Sequence, residues 1–588
     1  MNDDDSNFDQ KRLILAVALS AVVVLVWQRF LSPAPPPPAP VAATADAGVP
    51  LTPSDAEPAT VAGAPRADRP AARPAIAEGT PVTVLEPDRD AIEVTNVDGQ
   101  IAAWVLHEAQ YRHRPKAGAE VPFRFVDRLE RSEGPGYFLP PLLDLTLGGQ
   151  AAVGDYAVAT IDEHTVAATW TDPVTGIAVE RRYSLAAGAD YRVQVDLTLR
   201  NPGSASVTYD LEARLRGAQN DEEAGGGMFQ PPVYLFEAVC KHADAFERAP
   251  AKKVADHLAD PDEATIFSNA VRWAGVDNRY FMTAVLPAEG EAESCGFELG
   301  PEAAGVPAGT VPPHFTLMTT RVAFTGGEVP AGGSVTRGLG FYAGPKKLAV
   351  LRAETPPIDD AIDFGFFAAL CVPMLWLMRA FQSYVGNWGV AIILLTLLVK
   401  ALTMPLTYKQ YKSMAAMKKV QPQLKALQEK YKDDKQRLQQ EMMALYKEHK
   451  VSPLAGCLPM LMMMPVYFSL YRTIYSAVEL YQADLGGWIH DLSQRDPYFI
   501  IPALLGVLMI AQMRLNPSTG DALQQKIMMY VMPVMFTGMM LFLPAGLVIY
   551  IAVNTTLGIA QQWYMLRRKE AGADIPAPGP GKRRKEAT

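Results

Sequence analysis

The chain is poor in charge and in cysteine. Only 20% of its 588 residues are Asp, Glu, Lys or Arg, and 49% are hydrophobic. A disordered chain needs the reverse balance. Four cysteines are too few for a disulfide scaffold. Pro and Gly number 48 and 44, but without the G-X-Y period of collagen. A P-loop, a GxSxG elbow and a dinucleotide fingerprint are missing, and Gly338, Gly340 and Gly344 do not build the last of these. His107-Glu108 opens like a zinc-protease motif. The next histidine is His113, and a shared metal needs the second imidazole one helical turn after the first. No enzyme, cofactor or metal is the expectation, with a channel or transporter and a membrane-anchored enzyme of the exported side kept as alternatives. The net charge of −9 argues against general nucleic-acid binding.

The charge that is present is segregated. Residues 32–365 sum to −19, whereas 408–452 sum to +6 and 567–588 to +4. Basic islands between apolar runs are the mark of a membrane protein that keeps positive loops inside. Leu13–Trp27 is an uncharged run behind Lys11 and Arg12. It is predicted to be an uncleaved anchor over 1–31, because no small-residue cleavage site follows closely. Residues 32–83 are Pro- and Ala-rich, and read as an extended tether. Residues 84–350 read as all-β. Tyr191, Val193, Val195, Leu197 and Leu199 alternate with polar residues, and Asn201-Pro202-Gly203 supplies a turn. Short strands over this length imply a large sandwich. Cys240 and Cys295 share this exported compartment, where pairing is allowed; two unpaired structural cysteines are the expectation.

Residues 351–384 are predicted to be a linker leading into an amphipathic helix, Phe364–Tyr384, lying in the membrane interface. A broken span is the alternative. Five apolar stretches follow, at Gly386–Leu406, Leu454–Tyr475, Tyr498–Met513, Ile527–Leu543 and Ala545–Leu566. With the anchor they make six spans, and both basic islands fall on the cytoplasmic side. Residues 408–450 carry too much charge to span and read as a helical hairpin, with Asp434 a candidate N-cap at its turn. Lys400 is the only ionisable residue within Trp388–Leu406. A lysine in mid-helix costs about 2.5–3.5 kcal/mol on insertion scales, so it either faces a polar cavity or snorkels to the cytoplasmic surface.

The run GNWGVAIILLTLLVKALTMPLTYKQYKSMAAMKKVQPQLKALQEKYKDDKQRLQQEMMALYKEHKVSPLAGCLPMLMMMPVYFSLYRTIYS from Gly386 resembles the core of the YidC/Oxa/Alb membrane protein insertases. WIHDLSQRDPYFIIP from Trp488, QQKIMMYVMPVMF from Gln524 and LPAGLVIYIAVNTTLGIAQQ from Leu543 match further family segments. The resemblance covers about 385–568 and implies a five-span insertase core. With the anchor, it implies the Gram-negative form, a polytopic α-helical membrane protein with a periplasmic β-supersandwich. That places the chain in the bacterial inner membrane, with both termini cytoplasmic.

The resemblance also implies a hydrophilic groove, open to cytoplasm and lipid and closed on the exported side, with a positive residue at its base. Relatives usually carry Arg there; this chain has Lys400, which keeps the charge and loses the bidentate fork. Thr396, Asn554, Thr555 and Thr556 would add polarity. Met463 stands where some relatives have Gln. Met460, Met463, Met464 and Tyr550 would offer an apolar surface for a sliding segment. Lys418, Lys419, Lys425, Arg567, Arg568, Lys569 and the tail residues Lys582, Arg583, Arg584 and Lys585 would receive a ribosome or another partner from the cytoplasm. The implied partners are nascent membrane proteins, the Sec translocon, the ribosome, the lipid bilayer and periplasmic chaperones. A monomer would suffice.

Overall fold

A computed structural model describes residues 82–85 and 90–570, apart from 112–122, 128–135, 186–190, 222–234, 260–264, 269, 302–303, 307–310, 432–433, 450–452 and 516–526. The expected anchor, the tether before residue 82 and the tail beyond Glu570 lie outside the described residues.

The alternation seen in the sequence becomes a two-sheet sandwich. In the strand Arg192–Arg200, Val193, Val195, Leu197 and Leu199 are buried while the residues between them are not. The strand pairs with Ala178–Leu185 on one side and Ser334–Pro345 on the other. Next comes the predicted turn, where Asn201 Nδ2 donates to Ala205 O at 2.7 Å and its Oδ1 accepts from Gly203 N at 2.9 Å. One sheet has 11 strands and the other 9. Their inner faces close over Trp104 and Trp273, neither of which has any exposure.

Cys240 and Cys295 form a disulfide, which corrects the expectation of two unpaired cysteines. Cys240 sits on the strand Glu237–His242 of the 9-stranded sheet, and Cys295 on Ala292–Leu299 of the 11-stranded sheet. Both point inward and are buried, so two positions far apart in sequence meet across the core. The bond staples the sheets over a separation of 55 residues. A cross-link of that span removes roughly 4 kcal/mol of chain entropy from the unfolded state. Cys295→Ser should therefore lower the denaturant midpoint of the sandwich clearly, and reductant should do the same to the unmutated chain.

From Ala368 onward the described residues form seven α-helices: α1 (Ala368–Val385), α2 (Trp388–Lys430), α3 (Lys435–Glu448), α4 (Pro453–Ser476), α5 (Ile500–Leu515), α6 (Met532–Met540) and α7 (Ala545–Glu570). Helix α1 stops at Gly386, whose φ of 69° suits a residue without Cβ. Asn387 then caps α2, its Oδ1 accepting from Val390 N at 3.0 Å. A π-turn over Ile527–Val531 leads into α6.

The hairpin differs from its expected form in one respect. Its first arm is not a separate helix, because α2 runs unbroken from Trp388 to Lys430, a length of about 65 Å. Pro405 lies within it, yet Pro405 and Ala401 are both exposed. Asp434 caps α3 as expected, accepting from Arg437 N at 3.0 Å. His449 bonds Gln423 at 2.8 Å, tying the two arms.

Among the described residues, two segments are long and apolar enough to cross a bilayer, Gly365–Val385 and Trp388–Tyr408, with mean hydropathy 1.4 and 2.1. The first contains the helix expected to lie in the interface. It exposes Phe366, Leu370 and Trp376. Its bonds and ring contacts with α4 fall at Phe468, Ser469 and Thr473.

One end of the helical half carries the sandwich. Gln110 Nε2 donates towards the carbonyls of Val478, Glu479 and Tyr481, just past α4. Tyr481 packs against Tyr111, Tyr280 and Phe281. At the same end, Asn387 Nδ2 donates to Asp484 O, and Gly546 N to Leu492 O. The segment between α4 and α5 folds around half-buried Asp491, which accepts from Gln482 N, Ser493 N and Ser493 Oγ. Burial pushes this carboxyl above its ordinary range, against those bonds.

Candidate functional site

Lys400 stands where helix α2 changes character. Before it, Ala391, Ile392, Leu395 and Thr396 are buried against the other helices; after it, only Thr407 of residues 401–408 is buried. Lys400 itself is 8% exposed. Leu402, Met404 and Tyr408 are exposed beyond it. Towards the sandwich the helices close over Leu470, Ile474, Leu492, Leu547 and Val548. Lys400 thus sits at the boundary between the packed part of α2 and its exposed part.

Its partner is polar and neutral. Lys400 Nζ donates to Asn554 Oδ1 at 3.2 Å, and Asn554 also meets the Tyr467 side chain. Among the described residues no carboxylate pairs with Lys400. Gly558, one turn along α7, leaves room beside the ammonium. A methyl group there would lie 3.8 Å from Lys400 Nζ and 3.4 Å from Gln512 Nε2. Helices α2, α5 and α7 therefore converge on one polar space.

The polarity continues along α2. Thr396, Lys400, Thr403 and Thr407 are spaced by four, three and four residues, which puts them on one face. The hydroxyls of Thr396, Thr403 and Thr407 donate back to the carbonyls of Ile392, Val399 and Thr403. That satisfies their protons within the helix. Thr403, Thr407, Gln512 and Gly558 were missed in the sequence, although the threonine spacing was legible there.

The other expected site residues separate. Thr555 is 8% exposed, while Thr556 is exposed and bonds Ala552 O within its own helix. Three consecutive helical residues cannot share a face, so Thr556 does not join Asn554 at Lys400. Tyr550 is 5% exposed on α7. Met464 is half-buried on α4; Met460 and Met463 lie on the same helix, with side chains outside the described residues. Lys419 is exposed. The side chains of Lys418, Lys425, Arg567, Arg568 and Lys569, and all of Lys582, Arg583, Arg584 and Lys585, lie outside the described residues. Among the described residues no three His, Cys, Asp or Glu side chains gather as a metal site would require.

This arrangement can hold water and one positive charge beside apolar helix surfaces. Comparison with known proteins gives two family matches: the 60Kd inner membrane protein family over residues 380–572, and the YidC periplasmic domain family over 150–377. The membrane protein insertase YidC of Anaeromyxobacter dehalogenans strain 2CP-C is 34% identical over 588 residues, covering 98% of this chain and 99% of that protein. The protein of the same name in Marinobacter nauticus is 37% identical over 435 residues, covering 72% and 70%. A crystal structure of an active YidC insertase with its first transmembrane domain resolved aligns with a TM-score of 0.34 at 17% identity, covering 82% of this chain and 95% of that one.

Proposed function

The chain belongs to the YidC family of membrane protein insertases, and from that premise we propose that it moves nascent transmembrane segments from the cytoplasm into the inner membrane through the polar space at Lys400. The observation that carries this reading is the position of Lys400: a buried cation, bonded to Asn554, where a packed helix end gives way to an open one.

The mechanism is one of solvation. A segment entering the membrane carries polar flanks, and each flank must cross hydrocarbon. A wet half-space that ends at Lys400 shortens the crossing. The ammonium draws acidic residues of the translocating tail, and the threonines of α2 and the amides of Asn554 and Gln512 replace part of its hydration. The apolar segment then leaves sideways into lipid, driven by its own burial; about 20 apolar residues suffice to span. No covalent chemistry enters.

Six spans with both termini inside make the hairpin cytoplasmic and the sandwich periplasmic. The basic hairpin and tail then face ribosomes, the Sec translocon meets the core laterally, and periplasmic chaperones meet the sandwich. Helix α1 lies in the outer interface in this reading. The test is reconstitution of this protein alone in liposomes with a small single-span substrate, which should insert. Ion flux without insertion would instead indicate a channel. Ribosome co-sedimentation should weaken with salt and fall on removal of residues 567–588, with a slope of about −0.7 to −0.9 per phosphate contacted. Binding unchanged by both would leave the basic residues as topology signals only.

A further inference from the structure

A cavity of about 200 Å³ opens where the sandwich meets the end of α4, between Arg248, Asn278 and Arg279 on one side and Arg472, Tyr475 and Ser476 on the other. Four cations line it, and three have acids. Arg248 pairs with Glu237 and Asp277, Lys346 with Asp277 at 2.9 Å, and Arg472 with Asp363. Arg279 has no carboxylate partner among the described residues. Its Nε donates to Tyr475 O at 2.6 Å, its guanidinium carbon lies 3.5 Å from the centre of the Tyr475 ring, and its Nη1 is buried without a hydrogen-bond partner. Asn278 beside it commits Oδ1 to the amides of Tyr280 and Phe281, at 3.0 and 2.9 Å. Its amide N–H groups are left for the cavity.

An unneutralised guanidinium and unused N–H donors around one half-open cavity are the complement of an anion with several oxygens. Carboxylates already hold the other cations in place, so an added anion need not break a pair. Tyr475 and Ser476 end the helix that, in the insertase reading, crosses to the exported surface; headgroups lie at that level. We propose that this cavity binds the phosphate of an anionic phospholipid of the outer leaflet, joining the sandwich to the membrane core through a lipid. The proposal rests on the insertase topology for the leaflet, and on the cavity alone for the anion.

The test uses the full chain, delipidated in neutral detergent, with dioctanoyl phosphatidylglycerol, dioctanoyl phosphatidylcholine and inorganic phosphate as probes. Binding is read by native mass spectrometry and by thermal midpoint. The phosphatidylglycerol should bind and stabilise. Losing one charge-assisted contact should weaken it by roughly 10- to 100-fold in Arg279→Gln. Because Arg279 also bonds Tyr475, Ser476→Asp supplies the second variant: it puts a negative charge in the cavity and leaves those bonds in place, and it should weaken binding at least as much. Arg200→Gln, on an exposed strand end, should change nothing. Equal phosphatidylglycerol binding by the unmutated chain and Ser476→Asp would overturn the site. Equal affinity for inorganic phosphate would overturn the lipid and assign the cavity to a free anion. Substrate insertion measured on the same variants reconstituted in liposomes keeps the two readings apart, since lost lipid binding with insertion intact, or the reverse, separates them.

Discussion

Lys400→Glu should abolish insertion of substrates with acidic exported tails, whereas Lys400→Arg should sustain growth of a strain depleted of its own insertase. The reason is the sign of a charge that nothing nearby cancels. Lys400 Nζ has Asn554 Oδ1 at 3.2 Å and no carboxylate among the described residues, so its field reaches an incoming segment. At 4 Å and an effective dielectric of 20, attraction between unit charges is about 4 kcal/mol. Reversal turns that into repulsion of similar size. Even heavily screened, the change exceeds the 1.4 kcal/mol that corresponds to about a tenfold effect. Glu would also face Asn554 Oδ1, an acceptor against an acceptor, unless the amide flips. Arg keeps the charge and offers more donors to the same oxygen. Radiolabelled substrate inserted into liposomes reads the difference directly. Equal insertion of acid-tailed substrate by Lys400→Glu and the unmutated chain would remove electrostatic attraction from the mechanism.

Sequence periodicity located what depends on near neighbours. The strand Arg192–Arg200 follows its alternation residue by residue, because one face is buried and the other is not. Asp434 caps α3 because a side chain three residues before an orphan amide can reach it. Lys400 was legible because a charge in an apolar run is costly wherever it ends up. Three features were not legible, for one physical reason: they join residues distant in sequence. Gln110 meets the carbonyls of residues 478–481, Gln512 and Gly558 meet beside Lys400, and Cys240 crosses the sandwich to Cys295. No local pattern encodes such meetings. Thr556 failed in the opposite way, since adjacency in sequence suggested a patch that helical geometry divides.

Removing the sandwich and removing the segment behind it should have unlike consequences. A chain that joins the anchor to residue 350 loses the contacts of Gln110, Tyr111 and Phe281 with Tyr481. Those contacts hold the outer end of the helical half, but they lie apart from Lys400, Asn554 and Gln512. Insertion of a small substrate should stay near normal. Also removing 351–384 takes away α1, and with it two supports of the core. Cys371, Met374, Leu375 and Met378 leave their buried positions, which uncovers the adjoining faces of α2 and α4. Arg379 leaves Glu479, whose side chain is 10% exposed in the pair. An acid left alone in such a site costs about 3–5 kcal/mol where the pair was fully buried, and somewhat less here because the Arg379 side chain is 30% exposed. Helix α2 also loses the chain leading into its Asn387 cap, from which the first core span takes its entry angle. This larger deletion should abolish insertion even where the protein reaches the membrane. Both chains are compared at matched membrane levels, with the fraction of substrate inserted as the readout. If the smaller deletion fails despite normal membrane level, the contact at Tyr481 must transmit something the core needs, and the sandwich then acts in insertion itself.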